Sequence, residues 1–134
     1  MSRVAAGAVL VVSGLISLTG CQSPQAPEAG EAAATFYAAI AAGDGAGACA
    51  AMTPTTRSEL EQAAGKACPE AVLDEDLPSV DGIESSRVYG TMAMVTFAQE
   101  TTFLTRFPDG WLVTAAGCGS PGSAGVYDCT VKGS

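Results

Sequence analysis

The chain is expected to fold as an α+β domain, with N-terminal helices packed on a curved, four-stranded antiparallel sheet. Apolar residues recur at helical spacing from Glu31 onward, punctuated by Gly, Asp, Thr and Pro. After Pro78 the pattern changes to short β-branched and aromatic runs separated by turn residues. Four cysteines also divide evenly between those two halves, at Cys49 and Cys68 and at Cys118 and Cys129. Helices followed by strands, with no βαβ alternation, give segregated layers rather than a parallel sheet.

Residues 1–20 read as a lipoprotein signal peptide. Arg3 supplies the one positive charge, and no charged residue occurs from Val4 to Leu18. That run matches a signal-peptide apolar region and falls short of the roughly 20 residues that span a bilayer. Behind it, Leu18-Thr19-Gly20-Cys21 has the form of a bacterial lipobox: an apolar residue, two small ones and the cysteine that receives diacylglycerol. The peptidase needs small side chains before the cut, and two acyl chains on one residue give stable anchoring where one chain would not. Cys21 is therefore the expected lipidation site, with palmitate as a typical acyl group, and the outer face of the cell membrane the expected location. Residues 21–30 then form the lipidated cysteine and a Pro-, Gln- and Ala-rich flexible tether. Residues 31–134 make one domain.

Within that domain, "EAAATFYAAIAAGDG" places Ala33, Phe36, Tyr37 and Ile40 on one helical face and stops at Gly43. Asp44 is placed to cap a second short helix carrying Cys49. Thr53-Pro54 is an N-cap followed by proline at the first helical position, opening a helix whose apolar stripe is Leu60, Ala63 and Ala64. Cys68-Pro69 repeats that logic over "EAVLDED". The strand runs are "SSRVYG", "TMAMVTFAQ", "TTFLTRF" and "GWLVTAAG". Phe107-Pro108-Asp109-Gly110-Trp111 is the clearest hairpin turn, with proline presetting its first position. Alternation puts Val95 with Phe97, Phe103 with Phe107, and Trp111 with Val113, each pair on one face. "GVYDCTVKG" is expected to be a closing strand or a tail, pinned by Cys129.

With Cys21 set aside, four cysteines in an exported chain imply two disulfides. Of three possible pairings, the local one, Cys49–Cys68 and Cys118–Cys129, closes short loops within each half. Each would contribute about 3 kcal/mol by chain entropy. A zinc site is disfavoured, since the chain has no histidine and no Cys-x-x-Cys spacing.

The lipobox, "ATFYAAIAAGDGAGACAAMTPTTRSELE" and "VYGTMAMVTF…TTFLTRFPDGWLVTAAGC…YDC" together resemble a group of small lipoproteins of high-GC Gram-positive bacteria. The resemblance runs from about residue 18 to 132, and its most specific pieces are the "FY-A-I-x-x-GD" helix end and the "DGW-x-V-x-x-x-GC" strand. It implies a cystatin-like, nuclear-transport-factor-2-like cone of helices and sheet, and it carries over no catalytic residue. Fold likeness alone argues little about function.

Composition narrows the function classes. Fourteen acidic residues against six basic ones, net charge −8, argue against a nucleic-acid partner. Absent histidine removes the usual general base near neutral pH and every serine triad. Disulfide cysteines are not nucleophiles. An Asp/Tyr-dependent enzyme would have to draw on Tyr37, Tyr89, Asp44 and Asp81, for which amphipathic packing, helix capping and turn formation are the simpler roles. Asp74-Glu75-Asp76 lacks the alternating ligands and glycine of a calcium loop, so no metal or other cofactor is expected, and Met52, Met92 and Met94 read as core filler. If the cone interior is open, Phe36, Tyr37, Ile40, Val95, Phe97, Phe103 and Trp111 are its candidate lining; otherwise they fill the core. The expected protein is a lipid-anchored, disulfide-stapled, non-catalytic binding or accessory module. Its expected partners are the membrane through Cys21 and an envelope protein or apolar small molecule. The alternatives are the small enzyme and a purely structural envelope protein.

Overall fold

A computed structural model describes residues 23–133; Cys21 and the signal segment lie outside the described residues. Four helices come first: α1 (Gln25–Ala41), α2 (Gly45–Ala50), α3 (Pro54–Ala64) and α4 (Cys68–Asp74). Five strands follow: β1 (Ile83–Tyr89), β2 (Met92–Phe97), β3 (Thr101–Phe107), β4 (Gly110–Cys118) and β5 (Cys129–Lys132). They form one antiparallel meander in the order β1-β2-β3-β4-β5. The α+β class is as expected; the sheet has five strands rather than four.

Helix α1 starts earlier than the sequence suggests. Residues 25–30, expected in the flexible tether, are its first turns. Pro27 sits where a backbone N–H has no intrahelical acceptor in any case, and Glu28 lies in the first turn near the positive end of the helix dipole. Ala26 and Ala29 are buried, and the Ser86 hydroxyl of β1 donates to the Ala26 carbonyl. Tertiary contact with the sheet therefore orders a stretch whose composition reads as linker.

The remaining helices follow their caps. The Asp44 side chain accepts from the Gly47 N–H at 2.9 Å, and Thr53 Oγ1 accepts from the Thr56 N–H at 3.1 Å. In α3 the inward stripe is Thr56, Leu60 and the half-buried Ala64, while Ala63 is exposed. Thr56 is tolerated inside because its hydroxyl donates to the Thr114 carbonyl at 3.0 Å. Helix α4 begins at Cys68 with Ala67 at the cap, and the Glu61 carboxylate accepts the Cys68 N–H at 3.0 Å in place of a capping side chain. Helices α2 and α4 pack closely enough that a Cβ on Gly45 would lie 2.0 Å from the Pro69 carbonyl oxygen. Cys49–Cys68 joins the same two helices.

Two tight turns set the sheet register. Tyr89 pairs with Met92, and Phe107 pairs with Gly110 across Pro108-Asp109. Val95 opposite Thr102 and Ala93 opposite Leu104 put those four residues toward the helices. Phe103, opposite Met94, points to the other face. Phe103 and Phe107 share one face as expected, but it is the outer one, which corrects the expectation that Phe103 lines the cone or fills its core: Leu104 is fully buried and Phe107 is exposed. Strand β5 is short and mostly polar, so its own pattern does not declare it. It forms because Cys118–Cys129 holds it against β4, where Ala116 pairs with the buried Val131. The core lies between the helices and one sheet face, around Phe36, Met52, Val72, Val95, Leu104, Val113 and Val131.

Candidate functional site

A cleft of about 270 Å³ opens between the C-terminal half of α1, the segment entering β1 and the end of β2. Helical spacing brings Tyr37, Ile40 and Ala41 to it from α1. Leu77 and Val80 form the opposite wall, and Phe97 closes the floor. Asp81 stands at the cleft as the one ionisable side chain besides Tyr37. It is engaged with Gln99, whose Nε2 donates to Asp81 Oδ2 at 2.8 Å while its Oε1 accepts the Asp81 N–H at 3.2 Å.

Tyr37 links this cleft to a buried carboxyl group. Its ring packs edge-to-face on Phe36 and Phe97, with centroids 5.2 and 5.6 Å away. Its hydroxyl accepts the Gly117 N–H at 3.1 Å. That N–H is shared with Glu100 Oε2 at 2.8 Å, and the Cys118 N–H points at the same oxygen from 3.4 Å. Thr102 Oγ1 donates to Glu100 Oε1 at 2.6 Å. Gly117 has φ +65°, a conformation that glycine adopts without strain, so β4 can turn its N–H inward here. Cys118–Cys129 then fixes the position of that turn.

The electrostatics follow from burial. Desolvation pushes the Glu100 carboxyl above the ordinary carboxylate range, opposed by the hydrogen bonds from Thr102, Tyr37, Gly117 and Cys118. Desolvation and then the nearby Glu100 charge raise the Tyr37 hydroxyl, so it stays protonated at any physiological pH. Both carboxylate oxygens are occupied, and Tyr37 is held neutral. Such a group orients backbone and side chains; it is not aimed at the cleft.

The expected lining residues part company. Tyr37, Ile40 and Phe97 reach the cleft. Phe36, Val95 and Trp111 are core, with the Trp111 indole Nε1 buried and without a hydrogen-bond acceptor. Phe103 lies on the far face of the sheet, stacked edge-to-face on Tyr127 at 5.0 Å. Both expected disulfides, Cys49–Cys68 and Cys118–Cys129, are present. Of the Asp/Tyr set, Tyr37 and Asp81 share the cleft, Asp44 is a helix cap, and Tyr89 is at an exposed hairpin tip. Among the described residues no group of His, Cys, Asp and Glu could hold a metal ion, and Asp74 pairs with Lys66. Met52 is core as expected, whereas Met92 and Met94 pair across the sheet with the outward-facing Thr105 and Phe103.

Glu100 is the residue that pattern reading passes over. It was nonetheless marked: it is the single charge between Arg87 and Arg106, in a tight connection between two apolar strands. A lone acid in that setting is either at a solvated turn or buried with partners, and only the fold distinguishes the two. Comparison with family models, curated proteins and solved structures gives no match to this chain.

Proposed function

We propose that the chain is an exported, lipid-anchored, non-catalytic binding module of the cell envelope, with the cleft beside Tyr37 as its recognition site. The observation carrying this reading is the cleft's chemistry. Its walls are the apolar parts of Tyr37, Ile40, Leu77, Val80 and Phe97, and its one carboxylate is already bonded to Gln99. A concave, mostly apolar site with few oriented polar groups suits an apolar small molecule or an apolar side chain of a partner protein. Two disulfides suit an oxidising compartment. No helix among the described residues is long and apolar enough to cross a membrane; the attachment proposed is lipid at Cys21.

Two measurements test the proposal. Cys21→Ala should abolish incorporation of a palmitate analogue and release the protein from membranes; unchanged partitioning would remove the anchor. Native mass spectrometry of the full chain extracted from membranes should show a bound apolar species that Ile40→Asp displaces, with folding checked by circular dichroism. A ligand retained in full by that variant would place recognition elsewhere. The enzyme alternative draws on Tyr37 and Asp81, the two members of the Asp/Tyr set that share the cleft, and it predicts that Tyr37→Phe abolishes a cellular phenotype while leaving folding intact.

A further inference from the structure

Three features converge on one end of the molecule. The first is the entry of the chain. Ser23 follows Cys21 by two residues, a reach of about 7 Å at full extension, and α1 begins at Gln25. A lipid on Cys21 would therefore hold the N-terminal end of α1 against the bilayer, with no long tether between.

The second is what surrounds that end. Ser23 and Ala26 share a groove with Arg87 and Val88 of β1. Glu28 shares another with Thr91, Arg106, Phe107 and Pro108. The Arg106 N–H donates to the Thr91 carbonyl at 2.8 Å, tying the β1–β2 and β3–β4 hairpin tips together beside the helix start. Both tips thus stand on the side from which the anchor would emerge.

The third is the chemistry of those tips. Tyr89 is 59% exposed, Met92 41% and Phe107 37%. Tyr89 pairs with Met92, and Met92 with Thr105, so their side chains share the sheet face turned away from the helices; Phe107 stands two residues further along β3 on that face. Tyrosine is suited to the headgroup level, and methionine and phenylalanine to the acyl boundary beneath it. What sets these three apart from other exposed apolar side chains is that they sit together on two hairpin tips tied by the Arg106–Thr91 hydrogen bond.

We infer that this end, formed by the start of α1 and the two hairpin tips, is a bilayer-docking surface in which Tyr89, Met92 and Phe107 enter the interface of the membrane that carries the Cys21 lipid. The inference rests on the lipid-anchor reading above. Charge decides its character. Arg87 and Arg106 are offset by Glu84 beside Arg87, by Glu28 beside Arg106, and by Asp109 and Glu31 in the groove that Glu28 also lines, so apolar insertion rather than attraction to anionic lipid drives docking. The recognition cleft lies further along α1, at Tyr37 and Ile40, and so stays open to the envelope space.

The test uses the full lipidated chain in vesicles of phosphatidylcholine with brominated acyl chains, and in vesicles of equal parts phosphatidylcholine and phosphatidylglycerol brominated alike. Tyr89→Trp places a reporter at the tip. Ser120→Trp places one beyond the far end of β4, whose nine residues carry it about 30 Å away. Emission of the parent, which has Trp111 alone, is subtracted. The expected result is loss of the Tyr89→Trp emission to the same extent in both vesicle types, with Ser120→Trp unaffected. A palmitate-analogue label on the same preparation separates the two layers of inference. A labelled protein with unquenched Tyr89→Trp emission overturns docking and leaves the anchor intact, and no label overturns both. Tyr89→Trp emission shielded from aqueous iodide yet untouched by bromine would mean that a second copy covers the tip, which also overturns bilayer docking.

Discussion

Replacing Glu100 separates the cost of burying its charge from the value of its hydrogen bonds. In Glu100→Gln the shape is kept: the amide oxygen can accept from the Gly117 and Cys118 N–H groups, and the amide nitrogen can donate to Thr102 Oγ1 with that hydroxyl reversed. In Glu100→Ala the Gly117 N–H keeps Tyr37 as acceptor, but the Cys118 N–H and the Thr102 and Tyr37 hydroxyls lose theirs. Three buried polar groups left unpaired, at about 1–3 kcal/mol each, cost about 3–9 kcal/mol together. The pH dependence has an unusual sign. The folded-state pKa of Glu100 is raised, so the folded protein holds this proton more tightly than the unfolded chain. Its contribution to stability is fully present below the unfolded value, about 4.3, and is lost as pH rises through the folded value. At pH 7 the Gln variant should therefore match or exceed the parent in stability, and on acidification the parent should gain on it. Urea unfolding followed by Trp111 fluorescence, run on both proteins between neutral and mildly acid pH, gives that difference. Taking the difference cancels the general relief of self-repulsion in so acidic a chain. A gap that does not change with pH, or a parent that loses ground on acidification, would refute the account. So would an Ala variant as stable as the parent.

The sheet register makes a sharper contrast of neighbours. Leu104→Ala empties a fully buried position and should cost about 2–5 kcal/mol, whereas Phe103→Ala on the opposite face should cost nearer 1 kcal/mol, mainly its stacking on Tyr127; equal losses in denaturant unfolding would contradict the register. Breaking Cys49–Cys68 with paired serines should lower stability by about 3 kcal/mol and loosen α2 from α4, read as faster amide exchange in both helices. Breaking Cys118–Cys129 should release β5, so that amide protection of Val131 falls well before that of Leu104.

Much of this protein is legible without coordinates because the relevant physics is short-range. Thr53-Pro54 and Asp44 announce helix starts through bonds to groups three residues away, and Phe107-Pro108-Asp109-Gly110 announces a hairpin through backbone angles alone. The local cysteine pairing was also within reach, because short loops close at least entropic cost and each pair sits in one half. Of the seven side chains expected to line the interior of the cone, Tyr37, Ile40 and Phe97 reach the cleft, whereas Phe36, Val95 and Trp111 are core and Phe103 lies on the opposite face.

What the tertiary structure decided are outcomes that depend on a distant partner. Composition read residues 25–30 as tether; contact of Ala26 and Ala29 with β1 made them helix, and that shortening brings the hairpin tips to where a Cys21 lipid would lie. Strand β5 carries too little apolar pattern to declare itself, and exists through its disulfide and the burial of Val131. In "TTFLTRF" a shift of one residue exchanges Phe103 for Leu104 as the core side chain; pattern favours the larger aromatic, but pairing with β2 sets the register. Glu100 shows the same limit most clearly. A single acid between two strands is neutral information in one dimension, and it became the centre of a polar network only because α1, β3 and the Gly117 turn of β4 bring a hydroxyl, a second hydroxyl and two N–H groups around it. Periodicity reports which side chains share a face; only packing, through the desolvation it imposes and the partners it supplies, determines which face is inside.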